Sequence, residues 1–179
     1  MTEPLIRTAA TDDDFAAFAG LIAEYVAWCR ERYHDDTWFV DRVFGHQSLE
    51  DELKSLRASY FDPNGKTFLA VSGGEIRGCG AYRRLADGTC EMKRLFVPLR
   101  FAGHGTGRAL GNAIVRSARD DGFALMRLDT GDRFVEAIAL YESFGFRRCP
   151  AHRAYPEELM PYMVFMELPL GRGAAPDAA

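Results

Sequence analysis

The stretch richest in chemistry is Arg100-Phe101-Ala102-Gly103-His104-Gly105-Thr106-Gly107, set between an extended run ending at Val97-Pro98 and an apolar pattern of helical period. Glycines let the backbone take positive φ and approach a ligand closely, so successive N–H groups can converge on one anion. A helix beginning near Thr106 adds the partial positive charge of its N-terminus, which suits phosphate or pyrophosphate. A tight turn that needs small residues is the competing reading. Two phosphate motifs are missing: there is no GxxxxGK followed by Ser or Thr, and Arg108 stands where the dinucleotide fingerprint GxGxxG has its third glycine.

Glu91 is the second residue of interest. It opens an otherwise central strand, where an unpaired charge costs several kcal/mol unless a site or a partner uses it. Pairing with Lys93 on the same face, or with Arg84 across a hairpin, is the alternative. The remaining reactive residues carry less. His34, Asp35 and Asp36 are contiguous, which disfavours convergence on one ion, and His104 is an exposed loop residue. His46 and His152 have no serine or cysteine context for nucleophilic catalysis. Cys29, Cys79, Cys90 and Cys149 form no CxxC, so reduced and mostly buried thiols are expected, with Cys90 on the strand face opposite Glu91, and no metal.

Two blocks together resemble a known family. Arg100-x-x-Gly103-x-Gly105 directly after a strand is similar to the acetyl-CoA loop of the GCN5-related N-acetyltransferases, the GNAT superfamily. Ala137-Ile138-Ala139-Leu140-Tyr141-Glu142-Ser143-Phe144-Gly145-Phe146 looks like that family's A-x-x-L-Y-x-x-x-G-F helix and turn. The resemblance covers roughly residues 5–168, with its specific part at 91–146. The stretches Leu128-Asp129-Thr130 and Cys90 to Arg94 resemble a bacterial subgroup of general acetyltransferases.

The resemblance implies a direct transfer of an acetyl group from acetyl-CoA to a primary amine of a small metabolite, or of a protein or peptide. An alkylammonium with a pKa near 10.4 must lose a proton first, and Glu91 is the candidate base, directly or through water. Tyr141 matches the tyrosine that gives a proton to the sulfur of CoA; packing against Ile138 and Phe144 is its alternative. Leu95, Phe96 and Val97 would bond the pantetheine arm through their backbone. Arg100, Ala102, Gly103, Gly105, Thr106, Gly107 and Arg108 would surround the pyrophosphate, although Arg100 also reads as a solvated surface cation. Phe134 stands where many members have an asparagine, seven residues before the tyrosine. An acyl-CoA sensor without catalysis ranks second, and a dinucleotide oxidoreductase third.

The elements that must position these residues follow from periodicity. Leu5-Ile6-Arg7-Thr8 reads as a strand. Thr11 caps a helix carrying Phe15, Phe18, Leu21, Ile22, Tyr25, Val26 and Cys29 at helical spacing and ending near Arg30 to Arg32. Residues 33–41 mix aromatics with acids and read as an irregular turn. Ser48 caps a second helix to about Tyr60, ended by Asp62-Pro63-Asn64-Gly65.

Then come a strand at 67–71, a Gly73-Gly74 hairpin, its partner at 75–84, and a turn at Ala86-Asp87-Gly88 into the strand ending at Val97. A helix from about Thr106 to Arg119 is stopped by Gly122. Residues 124–129 form a buried strand and 135–144 a helix ended by Gly145, while 163–168 form a last strand. The fold class is α/β (α+β): a mixed, mostly antiparallel sheet flanked by helices, with 91–97 and 124–129 parallel across a βαβ unit. Their splaying apart around acetyl-CoA is implied by the resemblance. Residues 1–170 make one domain and 171–179 a disordered tail.

The 179 residues, 47% hydrophobic and 27% charged, suit one domain with a sizeable core. A net charge of −4 argues against a nucleic-acid surface. The first residues lack a basic and apolar leader, and no run approaches a membrane span, so no membrane partner and a cytoplasmic location are expected; a homodimer is left open. The resemblance implies an acceptor pocket built by the region between the first two helices, about Tyr33 to His46, and by the last hairpin, about Cys149 to Tyr162. There Asp35, Asp36 and Asp41 among Tyr33, Trp38 and Phe39 suit an amine with an apolar or aromatic body.

Overall fold

Thr11 begins the first long helix through a reciprocal cap: its hydroxyl accepts from the Asp14 N–H, and the Asp14 carboxylate accepts from the Thr11 N–H. The computed structural model describes residues 4–86 and 88–171. Strand β1 (Leu5–Thr8) leads into α1 (Asp12–Arg32), then α2 (Thr37–His46), α3 (Leu49–Lys54) and α4 (Leu56–Tyr60). Strands β2 (Gly65–Ser72), β3 (Glu75–Arg84) and β4 (Thr89–Phe96) follow as a meander. After the glycine loop come α5 (Thr106–Asp120), β5 (Leu125–Gly131), α6 (Val135–Ser143), β6 (Arg147–Arg148) and β7 (Met163–Pro169).

The sheet runs β1-β2-β3-β4-β5-β7-β6, antiparallel except where β4 meets β5. Leu110, Ile114 and Ala118 of α5 are fully buried with Tyr82, Met92 and Met126 on one face; Phe18 and Ile22 of α1 cover Leu69, Cys79 and Ala81 on the other. Each such large apolar side chain contributes about 2 kcal/mol by leaving water. A third cluster, around Tyr33, Phe39, Phe44 and Phe165, lies beside the opening between β4 and β5.

The parallel pairing of β4 with β5 lasts three residues: Thr89 with Leu125, Cys90 with Met126, and Glu91 with Arg127. Beyond Glu91 the strands part. Arg94 takes φ +57, and the β3–β4 register slips between Cys79 opposite Phe96 and Ala81 opposite Lys93, the signature of a bulge that bends a strand. The bend is held from outside by a buried bidentate pair in which the Arg94 guanidinium donates to Glu52 at 2.8 Å twice.

Two expectations need correction, and one element is new. Residues 37–46 are helical, not irregular: Phe39, Val40, Val43 and Phe44 share one buried face, a period that the preceding acids obscure. The helix expected from Ser48 to Tyr60 breaks at Ser55 into two short ones, and Ser48 takes φ 53 without a side-chain cap bond. A short strand at Arg147–Arg148 pairs with β7, a length too short to leave a periodic signal. Of the segments read from sequence, Asp87 in the turn and residues 172–179 of the tail lie outside the described residues.

Candidate active site

The parting of β4 and β5 opens a cavity of about 410 Å³. One wall is β4 from Leu95 to Val97, and the edge of β4 facing β5 has no strand partner after Glu91. Such a free edge can accept an extended amide-bearing ligand as though it were another strand. The floor is the glycine loop, where Gly105 at φ +77 turns the chain into α5 and has open space where a Cβ would stand. Ala109 is the first residue of this turn whose N–H finds a backbone acceptor, Gly105 O at 2.9 Å. The preceding amides, at a helix N-terminus, are left for an anion.

Ala102, Gly103, Gly105, Thr106 and Gly107 all line this cavity, as do Leu95, Phe96 and Val97. Arg100 and Arg108 do not. Arg100 pairs with Glu24 and lies over Phe101, its guanidinium carbon 4.7 Å from the ring centre, while Arg108 donates to the Ser143 hydroxyl at 3.1 Å. Phe134 stacks on Trp28 at 5.0 Å in the cavity wall, so this position offers an aromatic surface.

A second, smaller cavity of about 60 Å³ lies beyond, between β4, β5, α1 and α2. Tyr25, Leu95, Thr130, Phe134 and Tyr141 line both. Tyr141 is 8% exposed on α6, and Phe146, turned back by Gly145 at φ +95, packs against it with ring centres 6.0 Å apart. Burial, with the charge of Asp129, holds the Tyr141 phenol above its ordinary value, so it keeps its proton.

The inner cavity has a polar wall that composition and spacing did not reveal. Glu91 is 0% exposed and lines neither cavity. Its carboxylate accepts from Arg83 at 2.7 Å and from Arg153 at 2.7 Å, with Lys93 Nζ 3.8 Å away. Burial alone would raise its pKa; the Lys93, Arg83 and Arg153 charges outweigh burial and hold it below the ordinary range. The structure therefore places Glu91 outside both cavities, each of its oxygens accepting from an arginine.

Lys93, 6% exposed, and Asp129, with a side chain 3% exposed, do line the inner cavity. Gln47 joins them. Its Oε1 accepts from Lys93 Nζ at 3.3 Å, while its Nε2 donates to Tyr155 at 2.8 Å and to Asp129 Oδ1 at 3.4 Å. Asp129 Oδ2 is buried without a hydrogen bond among the described residues, the nearest cation being Arg153 Nη1 at 3.6 Å. Burial lowers the Lys93 ammonium pKa, and Asp129 and Glu91 offset part of that.

The acids expected to receive an amine are elsewhere. Asp35 is exposed and pairs with His34 at 3.2 Å, Asp41 binds Arg30 at 2.7 Å, and Asp36 is taken by Arg133 at the start of α2. Trp38 is 44% exposed against Tyr162 and reaches neither cavity. Folding of 37–46 as a helix turns its apolar face inward and leaves these groups outside. Tyr33 does line the inner cavity, but its hydroxyl is engaged, donating to Asp132 at 2.8 Å and accepting from the Arg133 N–H at 3.0 Å. Gly131 makes this approach fit, since a Cβ there would lie 2.3 Å from that hydroxyl.

Sequence reasoning missed Asp129, Gln47 and Arg153 as site residues. The signal for Asp129 was an acid inside an apolar strand, as for Glu91; Arg153 had none, since its contact with Glu91 spans 62 residues of chain. All four cysteines are free thiols, and among the described residues no three His, Cys, Asp or Glu side chains gather as metal ligands. No described helix is long and apolar enough to cross a membrane.

Comparison with known proteins bears on this architecture. Residues 22–146 match the model of the acetyltransferase (GNAT) family. The chain is 33% identical over 128 residues to an uncharacterized N-acetyltransferase of Schizosaccharomyces pombe, covering 70% of this chain and 77% of that one. It is 34% identical over 103 residues to the N-acetylaspartate synthetase of Danio rerio, covering 56% of this chain and only 36% of that longer protein. In fold it is similar to an N-acetyltransferase of Thermoplasma acidophilum solved in complex with coenzyme A, with a TM-score of 0.72 at 15% identity over 94% of this chain and 99% of that one.

Proposed function

From the premise that this chain belongs to the GNAT family and is an acetyltransferase, we propose that it moves an acetyl group from acetyl-CoA directly to the primary amine of a small metabolite. The observation carrying this reading is the meeting of the two cavities at Tyr141, one reaching the glycine loop and the other closed by polar side chains. The outer cavity fits coenzyme A: backbone from Leu95 to Val97 for the pantetheine arm, and the loop amides with Ala102, Gly103, Gly105, Thr106 and Gly107 for the pyrophosphate. Arg100 and Arg108 flank that loop and add positive charge from outside the cavity.

Acetyl-CoA supplies an electrophilic thioester carbonyl and a thiolate leaving group. Tyr141, kept as a phenol, offers its O–H to the departing sulfur. From an alkylammonium two protons leave the nitrogen on the way to the amide: the first is released to solvent before attack and the second balances the one that reaches the thiolate, so the transfer releases one net proton. Glu91 is assigned a positioning role: its carboxylate lies beside Lys93 of the inner wall and holds Arg153 next to Asp129. The small volume of the inner cavity favours a metabolite over a peptide chain, because about 60 Å³ admits only a few small groups.

Calorimetric titration with acetyl-CoA, followed by thiol release against a panel of primary amines, tests the reading. Saturable binding with amine-dependent release supports it. Binding without release on any small amine removes the acceptor class, and absence of binding overturns the assignment of the outer cavity.

A further inference from the structure

The inner cavity presents charges of opposite sign on its two diverging strands. Lys93 comes from β4 and Asp129 from β5, and both are almost fully buried. Glu91 behind them accepts from Arg83 and Arg153, which line neither cavity and are partly exposed, and lies 3.8 Å from Lys93 Nζ. The neighbouring Arg94–Glu52 pair is balanced within itself. Lys93 Nζ has three donors and spends one on Gln47 Oε1 at 3.3 Å, so this buried ammonium in the cavity wall keeps donors for a ligand anion.

Asp129 Oδ2 adds an acceptor without a donor in the same wall. We propose that the acceptor substrate is a small amino acid-like molecule whose carboxylate is bound by Lys93 and whose amine is bound by Asp129 Oδ2, next to Tyr141. This rests on the acetyl-transfer reading and names the substrate class of the same site. The orientation follows from the walls: Thr130, next to Asp129 on β5, lines both cavities together with Tyr141, whereas Lys93 and Gln47 line only the inner one, so the amine end lies at the shared wall.

Spacing agrees. The carboxamide of Gln47 already reaches from Lys93 to Asp129 through an oxygen and a nitrogen on a single carbon. A molecule spanning the same pair therefore has its amine and carboxylate close together, as in an α- or β-amino acid, and not at the two ends of a long chain. Phe39, Val40, Val43 and Phe44 form the rest of the wall and accept an apolar side group.

The test compares acceptors that share a side chain: a free amino acid, its carboxamide and the corresponding decarboxylated amine, for several apolar and polar side chains. For the full-length protein, kcat/KM from thiol release is expected to favour the free acid by about tenfold or more, since a site built for a polar group rejects analogues lacking it. In Lys93→Gln the preference should fall to within about twofold, mainly through KM, with acetyl-CoA affinity unchanged. Asp129→Asn, a nearly isosteric change, should lower kcat/KM for all three forms while retaining the preference for the acid.

Equal or better turnover of the carboxamide or the decarboxylated amine overturns the proposal and leaves acetyl transfer standing, as does a carboxylate preference that survives in a folded Lys93→Gln protein. If Lys93→Gln does not fold, the wild-type acceptor series and Asp129→Asn decide. Binding of acetyl-CoA with release on no acceptor overturns the acceptor-class reading and the proposal together.

Discussion

Glu91 and Arg153 are joined at 2.7 Å, which ties the last residue of β4 that pairs with β5 to the loop leading towards β7. The contact sits where the two strands begin to part, so the carboxylate pins the closed end of the cleft and is not free to act inside it. Glu91→Gln should therefore act first on stability. Removal of one partner from a buried ionic cluster costs about 3 kcal/mol, to be read from guanidinium denaturation. A folded variant of unchanged stability whose kcat falls a hundredfold would restore a direct proton-transfer role to Glu91.

The same cluster gives the protein an acid limit. Glu91, Asp129 and Glu52 are all held below ordinary carboxylate values, because nearby cations outweigh burial. A depressed folded-state pKa contributes stability that is present above the unfolded value of about 4 and lost as pH falls through the folded value. Lys93 has the same sign of slope at the alkaline end: its lowered pKa means that the folded state binds fewer protons below about 10.4, so its penalty eases as pH rises there. Denaturation midpoints should fall steeply below about pH 4. The double variant Glu91→Gln/Asp129→Asn should show a shallower acid slope, and an unchanged slope contradicts this account.

Tyr141 touches both cavities but contributes little to the walls that would hold the nucleotide end. Tyr141→Phe should lower kcat by about a hundredfold, within the range for loss of a proton donor. Acetyl-CoA affinity by calorimetry should change less than about threefold, the pattern of a group used in the transition state. An unaltered kcat removes Tyr141 from the chemistry.

Gly105 adopts φ +77 and has empty space in front of it. Gly105→Ala therefore meets no side chain, and its cost is the left-handed conformation, about 1 kcal/mol, with a methyl group placed in the anion cradle. Acetyl-CoA affinity should drop by about tenfold, or about 1.4 kcal/mol. Arg100→Ala, whose guanidinium is committed to Glu24, should change it by less than about twofold. The reverse order would move anion recognition from backbone to side chain.

Much of the framework was legible because local patterns decide it. The capped α1, the β2–β3 hairpin at Gly73-Gly74 and the turn from β4 through the glycine loop into α5 lie where spacing puts them. The α2 helix was not, because its apolar face is only four residues wide and follows a run of acids. For the site, the walls of the outer cavity came from a motif of adjacent residues. The polar side of the inner wall is assembled from Gln47, Lys93 and Asp129, with Arg153 beside Asp129, and nothing in local sequence says which of the chain's charged residues will meet.

The glycine loop offers backbone amides, whereas the inner wall offers particular side chains. An amide is present whatever residue carries it, so most substitutions at Leu99, Phe101 or His104 leave the anion cradle intact. A single change at Lys93, Gln47 or Asp129 rewrites what the inner wall can hold. Descent with modification can therefore alter the acceptor of such a protein in a few steps while its acyl donor stays fixed.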